Sequence, residues 1–176
     1  MPPYVCSACI CLAASFLSDR LKTRGFILLA LAPLTIIGFA MMATVESAGV
    51  RYFAIFLTTT GAFTCSPILL AWVVSNSAGP AVRAIVTAYT VGMGNCGAII
   101  ATWTYLPKDS PGYYTGHWIN FGAGIILLLV IIITIMYLRQ ENAKRADGKR
   151  DYRLEDTSPR DIDRLGHSHP SYRYTV

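Results

Sequence analysis

The sequence predicts an all-α integral membrane protein with about five transmembrane helices. Composition is the first reason: 53% of the 176 residues are hydrophobic and 14% charged, with a mean hydropathy of +0.45, outside the range of soluble domains. Charge distribution is the second. Residues 139–176 hold nine of the fifteen Lys and Arg and seven of the ten acids, leaving the first 138 residues nearly uncharged. The third is length, because the uncharged part divides into runs of about the 20 apolar residues that cross a bilayer as a helix. The chain therefore divides into a helix bundle, residues 1–138, and a polar tail, residues 139–176.

Taken in order, Tyr4–Leu17 is apolar but only 14 residues long. It is either re-entrant or the remainder of a longer helix, and the second is the expectation. The segment Ser15–Phe26 then places Asp19, Arg20, Lys22 and Arg24 in a short charged loop, which predicts antiparallel neighbouring helices on either side. Phe26–Val45, Tyr52–Val74, Ala84–Tyr105 and Trp118–Leu138 follow as full-length spans. Pro33 and Pro67 fall inside two of them, and the carbonyls they free need neighbours, which predicts packing in a bundle. Trp118–Leu138 is almost pure Ile, Leu and Val after Gly124, the pattern of a peripheral, lipid-facing helix. Residues 106–117 read as a turn-rich loop flanked by an aromatic belt. Beyond a helical extension from Arg139 to Ala146 and a break at Gly148, mixed charge predicts a mostly disordered tail.

Placing the 18–25 loop in the cytosol puts thirteen cations on that side and two, Arg51 and Lys108, on the other. The tail is then expected in the cytosol.

Several residues are candidates for chemistry. Phe53, Phe56, Thr60, Phe63 and Pro67 recur at helical spacing, and Thr60, near mid-span, is the expected pore-lining hydroxyl. The run Gly92-Met-Gly-Asn-Cys-Gly97 has the form of a dinucleotide fingerprint but lacks the preceding strand and the later acid. Ala84, Ala88, Gly92 and Cys96 instead form a helix-packing stripe at every fourth position. Asn95 lies beside the stripe, where a primary amide needs a partner: another helix or a substrate, with both readings open. Asn95, Thr60 and Tyr89 are the candidate substrate-pathway residues. His117 sits at a helix end as an interfacial residue.

The five cysteines, at 6, 9, 11, 65 and 96, lie in apolar segments. Cys6-Ser-Ala-Cys9 has the spacing of a metal pair, but no second pair or His follows at ligand distance, so no metal or other cofactor is expected. No acid, His and Cys cluster stands at catalytic depth, which argues against an enzyme, and nothing indicates a nucleic-acid partner.

The small residue, Asp-Arg and Arg-Gly spacing of Ser15–Phe26 resembles the loop signature of the major facilitator superfamily. Ser15 and Lys22 stand where Gly is usual, and Thr23 where a basic residue is usual. Together with Asn76–Ala84, Gly92–Gly97, Pro107–His117 and the closing Tyr172-Arg-Tyr-Thr-Val176, the chain resembles helices eight to twelve of that superfamily's fungal allantoate permease branch. The resemblance implies part of a twelve-helix secondary transporter with its substrate site between two six-helix halves. It implies proton-coupled import of allantoate, nicotinate, pantothenate or similar carboxylates by alternating access in the plasma membrane. Asp19, Arg20 and Arg24 would form a conformational-gate loop. The partners implied are the lipid bilayer, a small organic anion, a proton and an N-terminal six-helix half. Between Phe26 and Leu138 the acids are Glu46 and Asp109, both in loops on the outer side, so the proton-coupling group is expected outside this chain. The alternative is a non-transporting, truncated membrane protein or subunit that packs with other membrane chains.

Overall fold

The computed structural model describes residues 2–110, 112–155 and 162–176. Five long helices follow one another: α1 (Pro2–Leu21), α2 (Arg24–Thr44), α3 (Ala48–Ser75), α4 (Pro80–Thr104) and α5 (Tyr114–Ala146). Each is long and apolar enough to cross a membrane. A short helix α6 (Tyr152–Glu155) and two 3-10 turns (Pro107–Asp109 and Ile162–Ser168) complete the described elements, and no strand occurs among them. The four full-length spans read from the sequence all appear, extended at one or both ends. The α1 helix runs 20 residues rather than 14, because Pro2 and Pro3 open it and Ser18, Asp19, Arg20 and Leu21 continue it past the last apolar pair.

Short connections make the long helices alternate in direction. The ends of α1, α3 and α5 and the starts of α2 and α4 gather at one end of the bundle, which carries Arg20, Lys22, Arg24 and Arg83 and is called the basic end below. The helices form a row, α1–α3–α2–α5, with the most extensive contact between α2 and α3. The expected pairing of α1 with α2 is largely replaced by pairing of α1 with α3. On α1 the buried Ser7 and Ser18 and the half-buried Cys11 and Ala14 form one narrow stripe of small residues, and it closes on α3.

Glycine sets the α2–α3 distance. A Cβ on Gly61 would lie 2.9 Å from the Thr35 backbone nitrogen, and one on Gly38 2.9 Å from that of Thr58. Each helix thus offers a glycine to a threonine of the other, the arrangement that lets two apolar helices approach closely. The core lies among α2, α3 and α5, built from Leu28, Ala32, Ile68, Trp72, Ile131 and Ile135. The other face of α5 is exposed, with Ile126, Leu129, Val130 and Ile133 outward.

Helix α4 stands apart. None of its residues is buried, and among the described residues no atom beyond the neighbouring residues and backbone of α4 itself lies within 4 Å of a Cβ built on Gly92, Gly94 or Gly97.

The tail also differs from expectation. Helix α5 does run on to Ala146, and Gly148 breaks it with φ +71°. But residues 165–176 return to the basic end, where Tyr174 and Val176 pack against the core. Burial of these apolar groups and a set of side-chain to backbone hydrogen bonds hold the segment, neither of which average polarity reveals. Residues 156–161, part of the stretch expected to be disordered, lie outside the described residues.

Candidate functional site

Of the three residues expected to form a gate loop, Asp19 and Arg24 join a connected polar site at the basic end. The α1–α2 connection is Lys22-Thr23. Lys22 closes α1 with φ +52°, and its N–H donates to the Ser18 carbonyl at 3.0 Å. This is a left-handed helix cap, a conformation glycine adopts without Cβ strain. It explains physically why a glycine suits this position, where the chain has Lys22.

The turn delivers Arg24 to the first position of α2. Its guanidinium donates to Asp19 Oδ1 at 2.8 Å and also to the Ala71 carbonyl and Ser75 Oγ of α3. One planar side chain thereby ties the end of α1, the start of α2 and the end of α3, a use that suits Arg and not Lys. Arg20 points elsewhere, with its guanidinium 5.8 Å from the centre of the Phe16 ring. A cleft of about 210 Å³ is lined by Asp19, Lys22, Arg24, Ser75 and Thr175. A second space of about 470 Å³ beside it has Arg24 and Arg83 on an otherwise mostly apolar wall of α3.

The substrate-pathway candidates do not converge. Thr60 is buried between α1 and α3, its hydroxyl 3.3 Å from that of Ser7. Thr64, one turn on, is fully buried and its hydroxyl has no hydrogen-bond partner among the described residues. Asn95 and Tyr89 lie on the exposed surface of α4. The packing candidates Ala84, Ala88, Gly92 and Cys96 are exposed on the same helix. Small-residue contacts close instead between α2 and α3, at Gly38 and Gly61, and between α1 and α3.

At the opposite end, His117, in the first turn of α5, is buried. Its Nδ1 lies 3.3 Å from the Tyr105 hydroxyl, which accepts a hydrogen bond from the Asn120 amide at 3.0 Å. This cluster fastens the 106–117 loop to the start of α5. A cavity of about 390 Å³ follows among α2, α3 and α5, where Thr35, Ser66 and Asn120 are the polar members of an apolar lining. Sequence reasoning missed it, since each of the three sits on a different helix. The cysteines are all free, with Cys6 and Cys9 exposed, and no group of metal-binding side chains occurs among the described residues.

Comparison with known proteins gives relatives along nearly the whole chain. It is 30% identical over 177 residues to an uncharacterized transporter of Schizosaccharomyces pombe, covering 98% of this chain and 34% of the relative. It is 28% identical to an MFS-type transporter, cnsO, of Penicillium expansum, covering 99% of this chain and 35% of that protein. With the high-affinity nicotinic acid transporter of Saccharomyces cerevisiae the identity is 25%, covering 99% of this chain and 33% of the relative. The chain spans about a third of the length of the curated relatives it matches. No protein-family model and no solved structure matches it.

Proposed function

We propose that this integral membrane chain, whose relatives are fungal transporters and support the major facilitator superfamily, is the C-terminal part of a proton-coupled importer of small organic anions. The allantoate permease branch is the proposed home, with nicotinate, pantothenate and allantoate as the carboxylates to try first. The observation that carries the reading is the match along 99% of the chain to a transporter named for nicotinic acid. The Arg24 junction adds to it: a cation on α2 bonded to the ends of two other helices is a contact that can break when helices move.

Alternating access would come from rocking this half against an N-terminal half around a site between them. The open face of α4, with Asn95 and Tyr89, is the proposed wall of that pathway, and Thr60 its neighbour behind α1. The basic end and the tail would face the cytosol of a plasma-membrane protein. The coupling carboxylate is assigned outside this chain, since the described helices carry no acid near mid-span.

The test is uptake of labelled nicotinate, pantothenate and allantoate by yeast lacking its own carriers and expressing the longer protein. Accumulation of at least one, abolished by a protonophore, is expected. Absence of accumulation of all three in cells that carry the protein at the surface would overturn the reading and favour the non-transporting alternative.

A further inference from the structure

The tail that returns to the basic end makes contacts too specific for loose packing. Its last residues run extended between the ends of α3 and α5, and successive residues turn their backbone groups to opposite sides. Asn76, which caps the end of α3, reads one side: its Oδ1 accepts from the Thr175 N–H at 2.8 Å, and its Nδ2 donates to the Thr175 carbonyl at 3.0 Å. Trp72 Nε1 donates to the same carbonyl at 2.8 Å. Asn142 of α5 reads the other side, accepting from the Tyr174 N–H at 2.9 Å and donating to its carbonyl at 2.8 Å. Each asparagine supplies one donor and one acceptor to one residue, as a neighbouring strand would.

Side chains add selectivity. Tyr174 and Val176 share a face of the extended segment and reach the core, while the Tyr172 hydroxyl donates to the Ser75 carbonyl at 3.3 Å. Arg145, buried on α5, lies 4.7 Å from the centre of the Tyr174 ring and donates to the carbonyls of His167, His169 and Tyr172. It therefore holds both the turn that brings the tail back and the ring that anchors it.

This groove meets the gate loop at one residue. Ser75 accepts from Arg24 through its hydroxyl and from Tyr172 through its carbonyl, and Thr175 walls the cleft that contains Asp19 and Arg24. We infer that the α3–α5 groove at the basic end is a recognition site for an extended peptide with the sequence Tyr-Arg-Tyr-Thr-Val, filled by this chain's own C-terminus, and that filling it holds the Asp19–Arg24–Ser75 junction closed. The tail is thus a latch on the gate loop. The inference rests on the contacts themselves and not on the transported substrate.

Hydrogen exchange on the whole chain in lipid nanodiscs tests it. In a chain cut after Ser171, backbone amides of residues 15–24 are expected to exchange at least about tenfold faster, with those of α2 near Thr35 unchanged. Free Tyr-Arg-Tyr-Thr-Val peptide should restore protection, and a scrambled peptide should not. Asn142→Ala, which removes two hydrogen bonds and no tail residue, should speed exchange at Tyr174 and at residues 18–24 together. Unchanged exchange at 15–24 in the cut chain overturns the inference, as does protection by the scrambled peptide. If the cut chain does not fold, Asn142→Ala decides: a change at Tyr174 without one at 18–24 reduces the tail to local packing.

Discussion

Helices α2 and α4 carry the same kind of residue and come to different ends. Gly38 of α2 and Gly61 of its partner α3 are in close contact with threonines of the opposing helix, whereas Gly92, Gly94 and Gly97 of α4 face open space. In lipid, tails are as apolar as leucine, so hydrophobicity does not choose helix partners; close packing and polar contacts do. Small residues give a helix the capacity for close approach. Whether it is used depends on a complementary surface elsewhere, and α4 has none within the described residues of this chain.

The sharpest way to break the comparison is to enlarge both sides. Gly61→Leu drives a side chain into the Thr35 backbone, which cannot swing aside. The cost is expected at or above the roughly 3 kcal/mol upper end of overpacking penalties, seen as loss of the folded chain in denaturant titration. Gly92→Leu is expected to stay within about 0.5 kcal/mol. Equal losses in the two variants would show that α4 is packed after all.

Glu141 probes the packed side where the tail returns. Its carboxylate accepts from Arg150 at 2.7 Å and from Arg145 at 3.2 Å. The Arg150 hydrogen bond does most to lower its pKa to about 2 from the ordinary 4.5; burial opposes this and Arg145 adds to it. The folded value lies below the unfolded one, so the stabilisation is complete above about pH 5 and fades as pH falls from 4.5 towards 2. Glu141→Gln should cost about 1.5–3 kcal/mol, as lost charged hydrogen bonds do, and should flatten the acid limb of a stability–pH profile. An unchanged limb would remove Glu141 from the account of the tail.

Lys22→Gly has the opposite sign. It relieves a left-handed cap that costs an ordinary residue about 1 kcal/mol, and a raised melting temperature is expected. A lower one would mean that the lysine charge outweighs the backbone strain.

Asp19→Asn comes next in size. The pair with Arg24 is well exposed on the aspartate side, so stability should fall by no more than about 1 kcal/mol. Transport by the longer protein is expected to suffer while membrane insertion is kept, and normal uptake kinetics would reduce the loop to a topology signal. Smallest of all for stability is Asn95→Ala on the open side. Abundance should hold while substrate affinity of the longer protein weakens; a fall in abundance at constant affinity would instead assign Asn95 to helix packing.

How much was legible follows from where the information sits. The spans could be read because a bilayer sets their length, and Phe26–Val45 needs no partner to be recognised as α2. The charged connection was legible because Asp19, Arg20, Lys22 and Arg24 crowd into six residues between apolar runs, and the Gly148 break because glycine marks a helix end. The His117 cluster was not, since His117 meets Tyr105 and Asn120 only after the chain has turned through a loop and into α5. The contacts of the last residues were not legible because polarity is an average, while Tyr174, Thr175 and Val176 are held by particular groups at the ends of α3 and α5.

The sequence by itself determined an integral membrane chain of five helices, their alternation and the charged connection at one end. Hydropathy, helix rise and short loops act along the chain and require nothing distant. Only the tertiary structure decided that α1 leans on α3, that Gly38 and Gly61 carry the close contact while the α4 stripe stays open, and that the C-terminus returns to the loop of Asp19 and Arg24. Those outcomes depend on which surfaces fit one another, and shape complementarity between distant segments is not written in the periodicity of either one.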